Sequence, residues 1–319
     1  MRILVTGAAG LYGVNIIKLL VKREDVSIVY GVDNFCRSFP HSLPFIQSAV
    51  QNKKFSLLKC NYIKIDARLL DKLELDVIIH LAALVSIPES MEKSWTYFIN
   101  NEVGTFALLQ QLLKTRCQPA LIYASSAEVY GVPKYLPMDE NHPLNPRSVY
   151  SVTKLASEKH CMSLFECYDY PVTIIRNFNT YGENQGLGSY AGVIAIFINN
   201  ALKNRPLYIH GNGNQTRDFL YVKDAVRAYS LLIDKTHNLK GEIFNIGTGK
   251  QTSINELAKV IIRLTNSKSE VIYINPRRGD LPALCADISK IKEKLEWEPE
   301  FSLEKGLQRT ISWYKSFLK

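Results

Sequence analysis

Ile3-Leu4-Val5-Thr6-Gly7-Ala8-Ala9-Gly10-Leu11-Tyr12-Gly13 reads as a strand, a tight turn and a helix start in direct succession. The apolar residues open it, and the glycines follow at GxxGxxG spacing. The first glycine of such a turn permits the sharp bend. The second lets the backbone approach a pyrophosphate, and the third lets helix pack on strand. The helix N-terminus then offers free N–H groups and the positive end of its dipole to phosphate. Val14, Ile17, Leu20 and Val21 continue along one helical face. The turn predicts a dinucleotide site in which Gly7, Gly10, Leu11, Tyr12 and Gly13 meet the cofactor.

The next apolar run, Val26–Val32, leads into Asp33, twenty residues beyond Gly13. A carboxylate there accepts the ribose hydroxyls of an adenosine and repels a 2′-phosphate, which favours NAD over NADP. Arg37 follows closely and pulls the other way. Further short apolar runs lie at Phe55–Leu58, Val77–Leu81, Ala120–Ala124 and Val172–Ile175. They are continuous rather than alternating, as strands buried on both faces should be. Helical patterns separate them. One of these, near 102–113, is expected to bury Phe106, Leu109 and Leu113 on one side. The alternation predicts an α/β protein with a Rossmann-type, doubly wound parallel sheet. Residues 1–176 form the expected dinucleotide-binding domain. Residues 177–319 form a smaller α/β substrate-binding lobe, with strands near 219–222 and 243–246 returning to the first domain.

The 319 residues are 46% hydrophobic and 22% charged, an ordinary globular composition. A net charge of +9 suggests an anionic partner. Basic residues come in pairs such as Lys53-Lys54 and Arg277-Arg278, not in runs, so a nucleic-acid arm is not expected and a small anionic substrate is. The six cysteines form no CxxC pair and are expected as free thiols, with no metal site. No apolar run reaches transmembrane length and no signal-peptide pattern precedes the first strand, so a cytoplasmic protein is expected. His80 reads as a satisfied core residue, and Trp95, Trp297 and Trp313 as packing residues.

Tyr150-Ser151-Val152-Thr153-Lys154 places a phenol and an ammonium one helical turn apart. An ammonium beside the phenol lowers its pKa and makes a base usable near neutral pH. Ser125-Ser126 ends the preceding strand.

These motifs, with Leu81-Ala82-Ala83, Asn101, Arg176–Gly182, Thr216–Phe219, Asn245–Gly247 and Arg277–Asp280, resemble the extended short-chain dehydrogenase/reductases. They are most similar to the nucleotide-sugar epimerases and dehydratases, the UDP-glucose 4-epimerase type in particular. The resemblance implies a bound NAD touched also by Asn34, Leu81, Ala82, Ala83, Asn101 and Phe178. It implies Tyr150 as the base, Lys154 on the nicotinamide ribose, and Ser126 on the reacting oxygen. It implies Asn179, Arg217 and Arg277 at a diphosphate, Asp280 at a nucleotide ribose, and Leu284 at the sugar. The implied substrate is a nucleotide-diphosphate sugar, a UDP-hexose first, and the implied assembly a homodimer.

Ala127-Glu128 bears on the reaction. Dehydratases resembling this chain commonly carry Asp-Glu there, so the acid is missing and the base position kept. A 4-epimerase needs neither. The reading is therefore an NAD-dependent 4-epimerase working through a transient 4-keto sugar, with tolerance of N-acetyl sugars left open by Leu284. A dehydratase, decarboxylase or 4-dehydrogenase using Glu128 remains the alternative, and a non-catalytic NAD-binding protein a further one.

Overall fold

Strand β1 (Arg2–Thr6) pairs in parallel with β2 (Ile28–Asp33) on one side and β4 (Val77–His80) on the other. The computed structural model describes residues 1–37, 52–187 and 191–316. With β3 (Phe55–Lys59), β5 (Ala120–Ser126), β6 (Val172–Asn177) and the later strand Ile243–Ile246, they make a seven-stranded parallel sheet. Its order is Ile243–Ile246, β6, β5, β4, β1, β2, β3. All six apolar runs of the first half are strands of this sheet. Their continuity follows from burial on both faces. Ile3 and Val5 join one core cluster with Val29, Ile79, Ile122 and Ile175, while Leu4 joins another with Val32, Ile78, Leu121 and Ile174. The chain winds outward from β1 to β3 and then restarts at β4 on the other side. The carboxyl ends of β1 and β4 therefore border a crevice where loops diverge.

Beyond β6 the strands shorten. β7 (Asn179–Tyr181), β8 (Leu207–His210), β9 (Thr216–Arg217), β10 (Phe219–Tyr221), β12 (Thr252–Ser253) and β13 (Val271–Ile274) form three two-stranded sheets, numbering Ile243–Ile246 as β11. β11 does join the large sheet, beside β6. The expectation for 219–222 is corrected: β10 pairs with β7, outside the large sheet. Both segments are short and apolar, and pairing partners are not encoded in such runs.

Two helical expectations also change. In the helix Gly104–Leu112 the buried stripe is Thr105, Leu108, Leu109 and Leu112, whereas Phe106 is exposed and packs on the His160 ring at 5.0 Å. Trp95 is exposed, whereas Trp297 is fully buried and its indole N–H donates to the Asp224 carbonyl. His80 is buried between the hydroxyls of Thr6 and Thr105 at 2.7 and 3.1 Å, and burial pushes it down to about 3, so it is neutral. Of the segment that follows Asp33, residues 38–51 lie outside the described residues.

Candidate active site

The glycine turn is built as its spacing predicts. Gly7 has φ +72°, and its N–H donates to the Val32 carbonyl at 2.8 Å, pulling the turn onto β2. A Cβ on Gly13 would lie 2.2 Å from the Gly7 carbonyl oxygen, so only glycine lets this helix start so close to the turn. Gly10 caps the helix Leu11–Leu20 without any side-chain bond, leaving first-turn N–H groups directed at the crevice. Those groups open onto a cavity of about 460 Å³. Asp33 lines it, its carboxylate accepting from the Ala9 and Phe35 N–H groups at 2.9 and 2.7 Å. Burial raises the Asp33 pKa, and those backbone bonds oppose the shift. Asn34, Leu81, Ala82, Ala83 and Phe178 line the same cavity.

Asn101 is buried and outside the cavity lining, its amide engaged with the Leu84 backbone and Thr153. Its neighbour Asn100 lines the cavity instead. Both sit in a π-helical stretch, Phe98–Val103, whose wider turn changes which side chain faces inward.

Ser126, Tyr150 and Lys154 meet at the cavity floor. Ser126 ends β5, and Tyr150 and Lys154 share one face of the helix Val149–Tyr168. Ser148 caps that helix by accepting from the Ser151 N–H, while the Ser151 hydroxyl accepts in return from the Ser148 N–H. Burial pushes the Tyr150 phenol up to about 12, with nearby Ser126 opposing and Glu128 adding to the shift. The expected lowering by Lys154 is not seen. The ammonium turns back to β5, donates to the Ala124 carbonyl and stacks 4.4 Å over the Tyr123 ring. Burial pushes Lys154 down to about 7.

Glu128, Asn179 and Leu284 line the substrate side of the cavity. Burial pushes Glu128 up to about 7, with nearby Arg217 opposing and Asp280 adding to the shift. Arg217 pairs with Asp280 and donates to the Thr216 and Leu281 carbonyls, each at 2.8 Å. Arg277 lies exposed within the electrostatic reach of both. These three stand beside the cavity, not in its lining. The Asn179 and Gln185 side-chain oxygens are buried without partners, and both residues line the cavity. Orphaned amides on a cavity wall fit a ligand rich in hydroxyls and N–H groups.

Several motif residues do structural work. Arg176 forms a buried pair with Glu158 at 2.6 Å and also donates to the Tyr130 hydroxyl and the Glu140 carbonyl. Asp218 accepts from the N–H groups of Thr248, Gly249 and Ala286 and from the Thr248 hydroxyl. Asn245 bonds Tyr130 and the Met138 carbonyl. Sequence reasoning missed Glu158, although it lies four residues after Lys154 on the same helical face. It also missed Gln185 and Asn100, for which local pattern carries no signal.

Residues 4–310 match the family described as GDP-mannose 4,6 dehydratase, and the chain belongs to that family. It is 35% identical to the UDP-N-acetyl-alpha-D-glucosaminuronate decarboxylase of Bacillus cytotoxicus, covering 98% of each chain. Among solved structures it resembles the UDP-glucose 4-epimerase of Thermotoga maritima with UDP-glucose, with TM-score 0.92, 32% identity and 100% of both chains covered. It also resembles the UDP-glucuronic acid 4-epimerase of Bacillus cereus in complex with UDP-glucuronic acid and NAD, with TM-score 0.90, 31% identity and 99% of both covered.

Proposed function

We propose that the chain is an NAD-dependent nucleotide-sugar 4-epimerase acting on UDP-hexoses. The observation that carries this is one cavity running from the uncapped glycine turn to Asn179 and Leu284, with Ser126, Tyr150 and Lys154 on its floor. The relatives' substrates and the bound NAD of the Bacillus cereus enzyme support it. Residues 1–176 then hold the cofactor and 177–319 the nucleotide sugar. Gly7, Gly10, Leu11, Tyr12, Gly13 and Asp33 would cradle the dinucleotide. The pairing of Arg37 with Glu89 supports NAD over its 2′-phosphorylated form.

Bound NAD would supply hydride acceptance and return. The chain's residues supply position and proton transfer. Tyr150 takes the proton of the C4 hydroxyl, and Ser126 holds that oxygen. With NAD bound, hydride would leave C4 on one face of the sugar and return on the other once the 4-keto sugar has turned over. Arg217 and Arg277 would face the diphosphate and Asp280 the nucleotide ribose. Exposed Phe106 and Val152, on two neighbouring helices, support a homodimer, and a cytoplasmic location completes the reading.

Incubation with UDP-glucose, UDP-galactose and their N-acetyl forms should give C4 epimers without added NADH. Tyr150→Phe should lower kcat by about 10²–10⁴-fold at unchanged Tm. A 4-keto-6-deoxy product or released CO2, with no epimer, would defeat the reading. One observation favours a second reading, dehydration or decarboxylation. Glu128 stands beside Tyr150 with a pKa near neutrality, suited to moving a proton at C5.

A further inference from the structure

Arg37 and Glu89 come from opposite sides of the dinucleotide arm. β2 ends at Asp33 beside one edge of β1, and Arg37 follows it. β4 ends at His80 beside the other edge and leads into the helix Ile87–Glu92. The glycine turn lies between them. Arg37 lines the cavity from one side, and Val85 and Ile87 line it from the other. The Arg37 guanidinium pairs with the Glu89 carboxylate, and their side chains are only 20% and 17% exposed.

The Glu89 end is an abutment. Lys93 and the Tyr97 hydroxyl each reach its carboxylate at 3.0 Å. The Ser86 side chain caps its N–H, and the Ser86 N–H in turn fixes the Tyr97 hydroxyl at 2.9 Å. Tyr97 packs with Leu84 and Tyr150. The pair is thus tied to the wall that carries the catalytic phenol, and its partial burial protects it from salt more than an exposed pair would be.

We propose that the Arg37–Glu89 pair is a strap across the dinucleotide arm that slows release of the bound NAD. The inference rests on the NAD reading above and adds a residue, Glu89, that stands outside the cavity lining. An enzyme that returns its cofactor to the starting redox state in every cycle has no need to exchange it. Glu89 is therefore a positioning residue, and it keeps the guanidinium occupied.

The test uses the full chain loaded with NAD. NAD release is followed after rapid dilution, without any sugar. Glu89→Gln preserves the shape and removes the charge, and release should become about fivefold faster, the fold-change of an ion pair of this exposure. Arg37→Gln should do the same, and the double variant should be no faster than either single one. Unchanged release from Glu89→Gln, or additive acceleration in the double variant, overturns the strap. Newly acquired NADP binding by Glu89→Gln also overturns it, because Arg37 would then be a masked phosphate ligand. Release is read without turnover, so failure of the strap and failure of the epimerase reading are told apart.

Discussion

Arg176 with Glu158 and Arg217 with Asp280 are the same pair of groups in two settings. The first is sealed beneath the sheet, with side chains 2% and 0% exposed. Ser125 adds its hydroxyl to Glu158 at 2.7 Å, and Tyr130 and a backbone carbonyl complete the arginine. The second stands beside the cavity, 9% and 30% exposed, and part of it can be released to a ligand. Burial decides the difference. A sealed charge without its partner has nowhere to go, whereas a charge at a mouth can exchange a carboxylate for a phosphate or a ribose hydroxyl. Adjacent serines divide along the same line. Both line the cavity, but the Ser125 hydroxyl donates to Glu158 of the sealed pair whereas the Ser126 hydroxyl accepts from the Glu128 N–H, because successive residues of a strand point to opposite faces.

The largest effect expected is at the sealed pair. Glu158→Gln leaves Arg176 charged and buried, and should lower stability by about 3–5 kcal/mol, read as a denaturant midpoint. A change below about 1 kcal/mol would remove the distinction between the two pairs. Arg217→Gln should act on binding instead, raising KM for a UDP-sugar by about 10–100-fold through loss of a charge-assisted contact, with Tm nearly unchanged. If its Tm falls as far as that of Glu158→Gln, the mouth pair is structural too.

The smallest effect sharpens the chemistry. For a 4-epimerase, Glu128→Gln should keep turnover within about threefold, whereas C5 chemistry would lose at least about a hundredfold. The same variant has a pH readout. The folded chain holds the Glu128 proton up to about 7, above the ordinary 4.5. Proton uptake therefore favours the folded state, and through this group stability falls as pH rises from about 4.5 to about 7. Glu128→Gln should flatten that part of the stability–pH curve. A curve identical to that of the natural chain would mean that Glu128 is ordinarily solvated.

How much was legible in the sequence follows from how local each determinant is. Gly13 announces itself because a Cβ cannot pass the Gly7 carbonyl, and both groups belong to one turn. The first six strands are legible because burial on both faces demands unbroken apolar runs. The YxxxK pair is legible as a helical spacing, but the direction of the Lys154 ammonium is not. The Ala124 carbonyl and the Tyr123 ring that hold it come from a strand thirty residues away.

The sequence by itself determined the dinucleotide turn, the carboxylate at the end of β2 and the parallel sheet, because each depends on backbone sterics or on periodicity within one element. Tertiary structure alone decided that Asn100 and not Asn101 reaches the cavity, that β10 pairs with β7, and that Arg37 is held by Glu89. It also separated the sealed arginine from the one at the mouth. Those outcomes turn on which distant groups meet and how much water is left between them, and neither is written into any short stretch of the chain.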